Sequence, residues 1–316
     1  MLQTVIVIPQ YNDWEALNLL IERLNHDVAA DVLAATSLVV VDDCSSQEPA
    51  PKLEEFAGKN LQIVRLWRNM GHQRAIAIGL SYVADQLTCD RVVVMDADGE
   101  DAPKDINKLI ETAQQQPDCI VFAQRSKRHE GFVFQFFYAI YKFVFKQLTG
   151  QAITFGNFCL IPQRRLQNLV RVSEIWNNFP GGIIKSRLPY VSVSIERGKR
   201  LAGTSKMNFV SLILHGLSTV SVLIDVAAVR ILIFSIGLSV VSLLIIAVVL
   251  FLKWMDNATP GWASTLSSAL LIVVLQSFLI SLFLVFMVLQ YRTQQQFIPA
   301  TQYKDFVEKV EVIGLS

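Results

Sequence analysis

The sequence predicts an α/β domain on a mostly parallel sheet, followed by interfacial helices and a hairpin of two membrane-spanning helices. Three observations predict it. The chain is 52% hydrophobic but still 17% charged, and nearly all its charges lie in the first two hundred or so residues, a normal domain length. Short apolar runs there alternate with helical patterns. Two long stretches beyond it carry no charge at all.

The strand-like runs are Thr4 to Ile8, Ser37 to Val41, Leu61 to Leu66, Arg91 to Met95 and Ile120 to Ala123. Each is followed by a polar turn, namely PQYND at 9–13, DDCSS at 42–46, WRNMGH at 67–72, DADGED at 96–101 and Gln124-Arg125. In a parallel sheet these turns gather at one edge, and ligands bind outside the carboxyl ends of such strands. Asp96 and Asp98 stand two residues apart at a strand end, which points both carboxylates the same way. Convergent carboxylates repel unless a cation lies between them, and oxygen ligands of this kind suit Mg²⁺ or Mn²⁺ together with substrate phosphates. A DxD alone is also what a turn of solvated acids looks like; the strand before it and GEDAP after it (99–103) favour the site.

Ile231 to Leu252 and Leu266 to Leu289 contain no charged residue. At about 1.5 Å rise per residue each reaches across a ~30 Å hydrocarbon layer. Lys253 to Thr265 between them holds Trp254 and Trp262 as interfacial anchors and Pro260-Gly261 as a turn. Arg230 and Arg292 flank the spans on the domain side against the single Lys253 of the loop, so the domain and both termini are expected in the cytoplasm. Phe132 to Leu148 and Phe209 to Ala228 read as interfacial helices, or else as buried core helices. Ser235, Ser239 and Ser242 of one span, and Ser277 and Ser281 of the other, recur at helical spacing suited to close helix contact. The expected divisions are 1–207, a juxtamembrane helix over 208–229, the hairpin over 230–292, and a tail over 293–316.

A formal charge of +1 gives no footprint for nucleic acid. Cys44, Cys89, Cys119 and Cys159 are widely spaced, which suggests neither a zinc site nor a disulfide framework and fits reducing surroundings. The apolar pattern begins at Thr4 with no basic stretch before it, so no cleavable leader is expected. The absence of charge inside the spans argues against a transport path through them.

PQYN (9–12), VDDCS (41–45), RNMGHQ (68–73), MDADGEDAP (95–103) and ERGKRLAGTSK (196–206) together resemble family 2 of the glycosyltransferases. The likeness is strongest to the polyprenyl-phosphate enzymes typified by dolichyl-phosphate mannose synthase, and the two spans resemble bacterial members that glycosylate undecaprenyl phosphate with glucose or aminoarabinose. The resemblance implies a GT-A, Rossmann-like fold and a metal-dependent, inverting transfer of a sugar from a nucleotide diphosphate, a UDP-sugar ahead of a GDP-sugar, to a polyprenyl phosphate. It implies that Pro9, Tyr11, Asp13, Val41, Asp43 and Ala97 help hold the nucleotide, and that Asp96, Asp98 and Glu100 surround Mg²⁺ or Mn²⁺. Arg200 and Lys206 would contact the donor diphosphate, and Arg125, with Lys127 or Arg128, the lipid phosphate. A homo-oligomer and a separate flippase are the companions it suggests.

Five departures stand out, one of them Gln135, near a position where relatives often place a second phosphate-binding Arg. Glu100 replaces a common Gln, Cys44 a Gly and Gly99 a Leu, while Asn157 lies where many relatives carry an acidic residue. His72 reads as a loop-orienting residue ahead of a catalytic base. Two other readings stay open: a family 2 enzyme that adds sugar to a saccharide, and a membrane-anchored binding subunit without turnover. The missing QxxRW speaks against the first, and the crowding of Asp96, Asp98, Arg200 and Lys206 against the second.

Overall fold

The computed structural model describes residues 2–47, 51–125, 142–151, 155–196, 198, 200–203, 209–255, 261–294 and 296–313. The chain forms two compact units, one of residues 1–130, 153–222 and 296–316 and one of 131–152 and 223–295.

The first unit carries an eight-stranded sheet. Its strands are β1 (Thr4–Gln10), β2 (Thr36–Asp42), β3 (Asn60–Leu66), β4 (Arg91–Val94), β5 (Ile120–Arg125), β6 (Cys159–Pro162), β7 (Tyr190–Ile195) and β8 (Val307–Ile313), in the order β7-β5-β6-β4-β1-β2-β3-β8. β1 pairs in parallel with β2 and β4, β2 with β3, and β5 with β7, whereas β6 and β8 run antiparallel to their neighbours. The central strands are apolar at successive positions because both faces are covered. β1 and β4 are buried throughout. On one face lie α1 (Trp14–Asp27) and α4 (Lys104–Gln115); on the other lie α3 (His72–Gln86), α6 (Gln163–Leu169) and α7 (Phe179–Ser186), with a short α2 (Ala30–Ala34) ahead of β2. A Cβ at Gly79 would lie 2.6 Å from the Val7 side chain and 2.7 Å from that of Val41, so only glycine lets α3 lie this close on β1 and β2.

All five strands expected from the sequence are present. β6, β7 and β8 are additions. β6 and β7 complete one end of the sheet, and β8 completes the other by pairing Leu61 through Leu66 of β3 with Ile313 through Val307. The segment expected as a tail therefore folds into the first unit. A staple fixes it to α3, in which Tyr303 donates to Asp85 at 2.7 Å and Lys304 pairs with the same carboxylate at 2.8 Å.

After α8 (Phe209–Val222) come α9 (Ile224–Trp254) and α10 (Trp262–Thr293), both long and apolar enough to cross a membrane. They exceed the expected spans at both ends. Ser235, Ser242, Ser277 and Ser281 are buried, whereas the apolar side chains around them face outward. Helix α5 covers 142–149 of the described residues; the rest of the Phe132 to Leu148 segment falls outside them. Within this second unit Arg230 donates to the carbonyl of Gln147 at 2.9 Å, capping the last turn of α5.

Candidate active site

Six strands, β1 to β5 and β7, point their carboxyl ends to one edge, and the antiparallel β6 starts there. The polar turns foreseen in the sequence meet at this edge. The turn after β4 carries the two aspartates. The Asp96 amide donates to Asp101 Oδ2 at 3.0 Å, and the Glu100 amide donates to Asp98 Oδ1 at 3.0 Å, which folds DADGED back on itself.

The segment after β7 closes over this turn. The Gly198 amide donates to the Glu100 carbonyl at 2.8 Å and the Leu201 amide to the Asp98 carbonyl at 2.9 Å. Gly99 has φ +79°, and a Cβ there would lie 2.3 Å from the Leu201 side chain. A leucine at 99, as the family resemblance would lead one to expect, is thus excluded twice, by backbone conformation and by Leu201 filling the space. The clamp delivers Arg200. Its guanidinium spans two strand ends, with Nη1 3.0 Å from Asp98 Oδ2 and Nη2 2.6 Å from Asp13 Oδ2. Burial raises the Asp98 pKa above the usual carboxylate value, helped by the charges of Asp96 and Glu100; the Glu100 amide and Arg200 oppose the rise.

Asp43 is built differently. Only 3% exposed, it accepts from the Met70 amide at 2.6 Å through one carboxylate oxygen and from the Gly71 amide at 2.8 Å through the other. Burial raises its pKa against the pull of these two amides. Asp43 shapes the 67–71 loop. Gly71, at φ +88°, starts α3 and sets His72 on its first turn. His72 Nε2 lies 3.1 Å from Asp96 Oδ1. Burial lowers the imidazole pKa, but the charges of Asp96, Asp101 and Asp98 outweigh it and the pKa is raised. Asn157, brought to the edge by β6, stands 3.0 Å from His72 Nε2 and accepts from Gln73 at 3.2 Å, and Gln73 accepts from the Phe179 amide at 2.7 Å.

Of the other expected nucleotide contacts, Tyr11 stands 45% exposed beside the cluster, consistent with a stacking surface. Pro9, Val41 and Ala97 are buried, and Val41 packs in the core. Arg125 ends β5 at the same edge. Lys127, Arg128 and Lys206 lie outside the described residues. Sequence reasoning missed Gln73 and Phe179 as parts of the site, because nothing in an amide side chain or an apolar residue marks it as a neighbour of Asp96.

Among the described residues no three His, Cys, Asp or Glu side chains form a ready-made metal cage, so Asp96, Asp98 and Glu100 are not drawn into a closed triad. The donor chemistry still fits a hard divalent cation. Mg²⁺ typically takes one or two carboxylates and completes its shell with substrate phosphates and water, and Asp96 and Asp98 of this turn are two carboxylates of that kind.

The model of glycosyl transferase family 2 matches residues 5–168. The chain is 28% identical over 213 residues to the undecaprenyl-phosphate 4-deoxy-4-formamido-L-arabinose transferase of Pectobacterium atrosepticum, covering 66% of this chain and 63% of that one. It is 36% identical over 132 residues to the enzyme of that name in Sodalis glossinidius, covering 40% and 38%. It therefore spans less than two thirds of these relatives' length. An uncharacterized glycosyltransferase of Bacillus subtilis, YkcC, is 28% identical over 288 residues, covering 85% and 84%. Among solved structures, glucosyl-3-phosphoglycerate synthase from Mycobacterium tuberculosis in complex with Mn²⁺, UDP-glucose and phosphoglyceric acid superimposes with a TM-score of 0.53 at 14% identity, covering 72% of this chain and 80% of that one. That likeness shows the GT-A fold.

Proposed function

This chain belongs to glycosyl transferase family 2, and from that premise we propose that it transfers a sugar from a nucleotide diphosphate to a polyprenyl phosphate, of the undecaprenyl type, with inversion at the anomeric carbon. The observation that carries the reading is the convergence of Asp13, Asp96, Asp98 and Arg200 at the carboxyl edge of the sheet. Acids and a base crowded into one polar recess are what a nucleotide diphosphate with its counter-cation requires, and a scaffold gains nothing from them. The relatives' names support the acceptor class, and the resemblance to bacterial members favours a UDP-sugar ahead of a GDP-sugar.

Arg200 is the group positioned to meet the charge that develops on the leaving diphosphate, exchanging a carboxylate partner for phosphate oxygens. A Mg²⁺ or Mn²⁺ ion bound at Asp96 and Asp98 would supply Lewis-acid stabilisation of the same charge. Lys206, by resemblance, adds a second cation on the diphosphate, and Arg125 with Lys127 or Arg128 receives the acceptor phosphate. That acceptor is a phosphate monoester whose second pKa is about 6, so it is already ionised at neutral pH. It needs no strong base. Asn157 in place of an acidic residue is compatible with this acceptor, whereas a sugar hydroxyl would need its proton removed.

Membrane attachment follows from α9 and α10. The chain leaves the first unit after Val222 and re-enters it at Gln296, which an even number of crossings satisfies. With Arg230 and Arg292 outnumbering Lys253, the enzymatic unit belongs in the cytoplasm. The hairpin confines enzyme and acceptor to one bilayer and raises their encounter rate.

The test is to incubate the full chain, reconstituted in vesicles, with undecaprenyl phosphate, Mg²⁺ and a panel of radiolabelled nucleotide sugars. Label that becomes lipid-extractable from one donor is the expected result. Extractable label from none of them would overturn the proposal.

A further inference from the structure

We infer that the stretch 173–186 is a relay between the hairpin and the active site. Both chain connections of the second unit end on it, and it holds the first turn of α3, with Trp176 and Asn178 as positioning residues. The inference goes beyond the proposed transfer and concerns how the membrane part acts on the site.

The chain leaves the first unit after Val222 and returns at Gln296. On the way out, Lys185 donates to the Val222 carbonyl at 2.9 Å, Asn177 to Ser221 at 3.2 Å and Asn178 to Thr219 at 3.0 Å. Asn178 is 1% exposed, and its side-chain oxygen accepts from the Gly181 amide at 2.8 Å. Each end of its amide group therefore has a partner, which fixes its orientation. On the way back, Gln296 meets Ser173 at 3.0 Å, and the Phe297 ring lies against Trp176 with centroids 4.1 Å apart. One short 3₁₀ turn (Ser173–Trp176) and α7 thus receive both connections.

The same stretch reaches the active site by three contacts. The Phe179 amide donates to Gln73 Oε1 at 2.7 Å, and Gln73 with Asn157 leads to His72 beside Asp96. The Arg74 guanidinium lies 5.5 Å from the centre of the Trp176 ring, a cation–π distance. Phe306, whose ring is 5.1 Å from that of Trp176, accepts through its carbonyl from the Trp67 amide at 3.1 Å, at the root of the loop that Asp43 shapes. Close-packed rings and buried hydrogen bonds transmit strain and absorb little of it, so a shift at either connection is passed on to this loop. The hairpin supplies such a shift. α9 and α10 have 31 and 32 residues and end at Ile224 and Thr293, next to the held residues. At 1.5 Å per residue they are about 46–48 Å long, well over a ~30 Å hydrocarbon layer. Helices too long for their bilayer tilt, and the tilt follows its thickness.

The experiment is hydrogen exchange, read by mass spectrometry, on the full chain reconstituted in vesicles of dimyristoyl- or dierucoyl-phosphatidylcholine, a thin and a thick bilayer. It needs no turnover, so its outcome is independent of the transferase reading. In the wild type, amides of 66–71 and 177–181 should exchange at rates that differ about 10-fold between the two bilayers, while those of β4 stay unchanged. Phe297→Ala unstacks Trp176 and should remove that difference, and Phe297→Trp should restore it. Thr219→Val keeps the shape of the side chain but takes the acceptor from Asn178, and should remove the difference from the other connection. Exchange that ignores bilayer thickness in the wild type would overturn the inference. So would a full thickness response retained by both Phe297→Ala and Thr219→Val, which would reduce these contacts to packing.

Discussion

The turn after β2 and the turn after β4 both end a buried parallel strand in aspartates, yet their carboxylates live under different constraints. Asp43 is held by two backbone amides of one loop, Met70 and Gly71. Asp98 has one oxygen on the Glu100 amide of its own turn and the other on a side chain, Arg200, which also grips Asp13 on a third loop. Backbone donors cannot leave without unfolding the loop. A guanidinium can exchange its partner for a phosphate oxygen with only a rotamer change. The first acid is therefore tied into the architecture of a second loop, whereas the second can exchange one partner without moving backbone, although residue type and strand-end position are the same.

Substitutions can break that comparison. The largest effect is expected from Asp98→Ala, which should lower sugar transfer by about 100-fold or more with little change in thermal stability. A melting loss equal to that of an Asp43 variant would put Asp98 in the architectural class. Asp43→Ala should act the other way round and cost about 1–3 kcal/mol of stability by leaving the Met70 and Gly71 amides unpaired, measured by urea or thermal unfolding. Transfer should fall as well, because the 67–71 loop and His72 beyond it lose their anchor. Arg200→Lys keeps the charge but loses the fork that reaches Asp98 and Asp13 together; about a 10-fold loss of activity is expected from it, read as kcat/KM for the donor.

The smallest effect concerns Asp85. Hydrogen bonds from Lys304, first, and Tyr303 lower its pKa to about 2. A carboxylate depressed in the folded state contributes stability that is complete above its unfolded pKa, about 3.9, and fades as pH falls through the folded value. The melting difference between wild type and Asp85→Asn should be constant from neutral pH to about pH 5 and shrink between about pH 4 and 2. A difference that persists at pH 2 would assign the staple to Lys304 and Tyr303 packing instead.

Much of this architecture was legible beforehand because it is written in local pattern. Five strands announced themselves as Val- and Ile-rich runs, and the spans as long uncharged ones. β8 was not legible. Its alternating sequence, VEKVEVI, suits an edge strand, but nothing in it names β3, some 240 positions earlier, as its partner. Asn157 could be noticed as a departure from relatives, but not as the neighbour of His72, since β6 runs antiparallel and reaches the edge from the other direction.

By itself the sequence determined the class of the fold, the hairpin, the strand-end turns and the family, all of which follow from periodicity, hydropathy and short motifs that each element carries alone. Only the tertiary structure decided which aspartate has both oxygens on backbone amides of another loop and which has one on a side chain, that Leu201 fills the space above Gly99, and that Gln73 and Asn157 link the Phe179 backbone to His72. The reason is physical. A hydrogen bond's partner and direction depend on where distant loops meet, and that meeting exists only once the sheet has assembled.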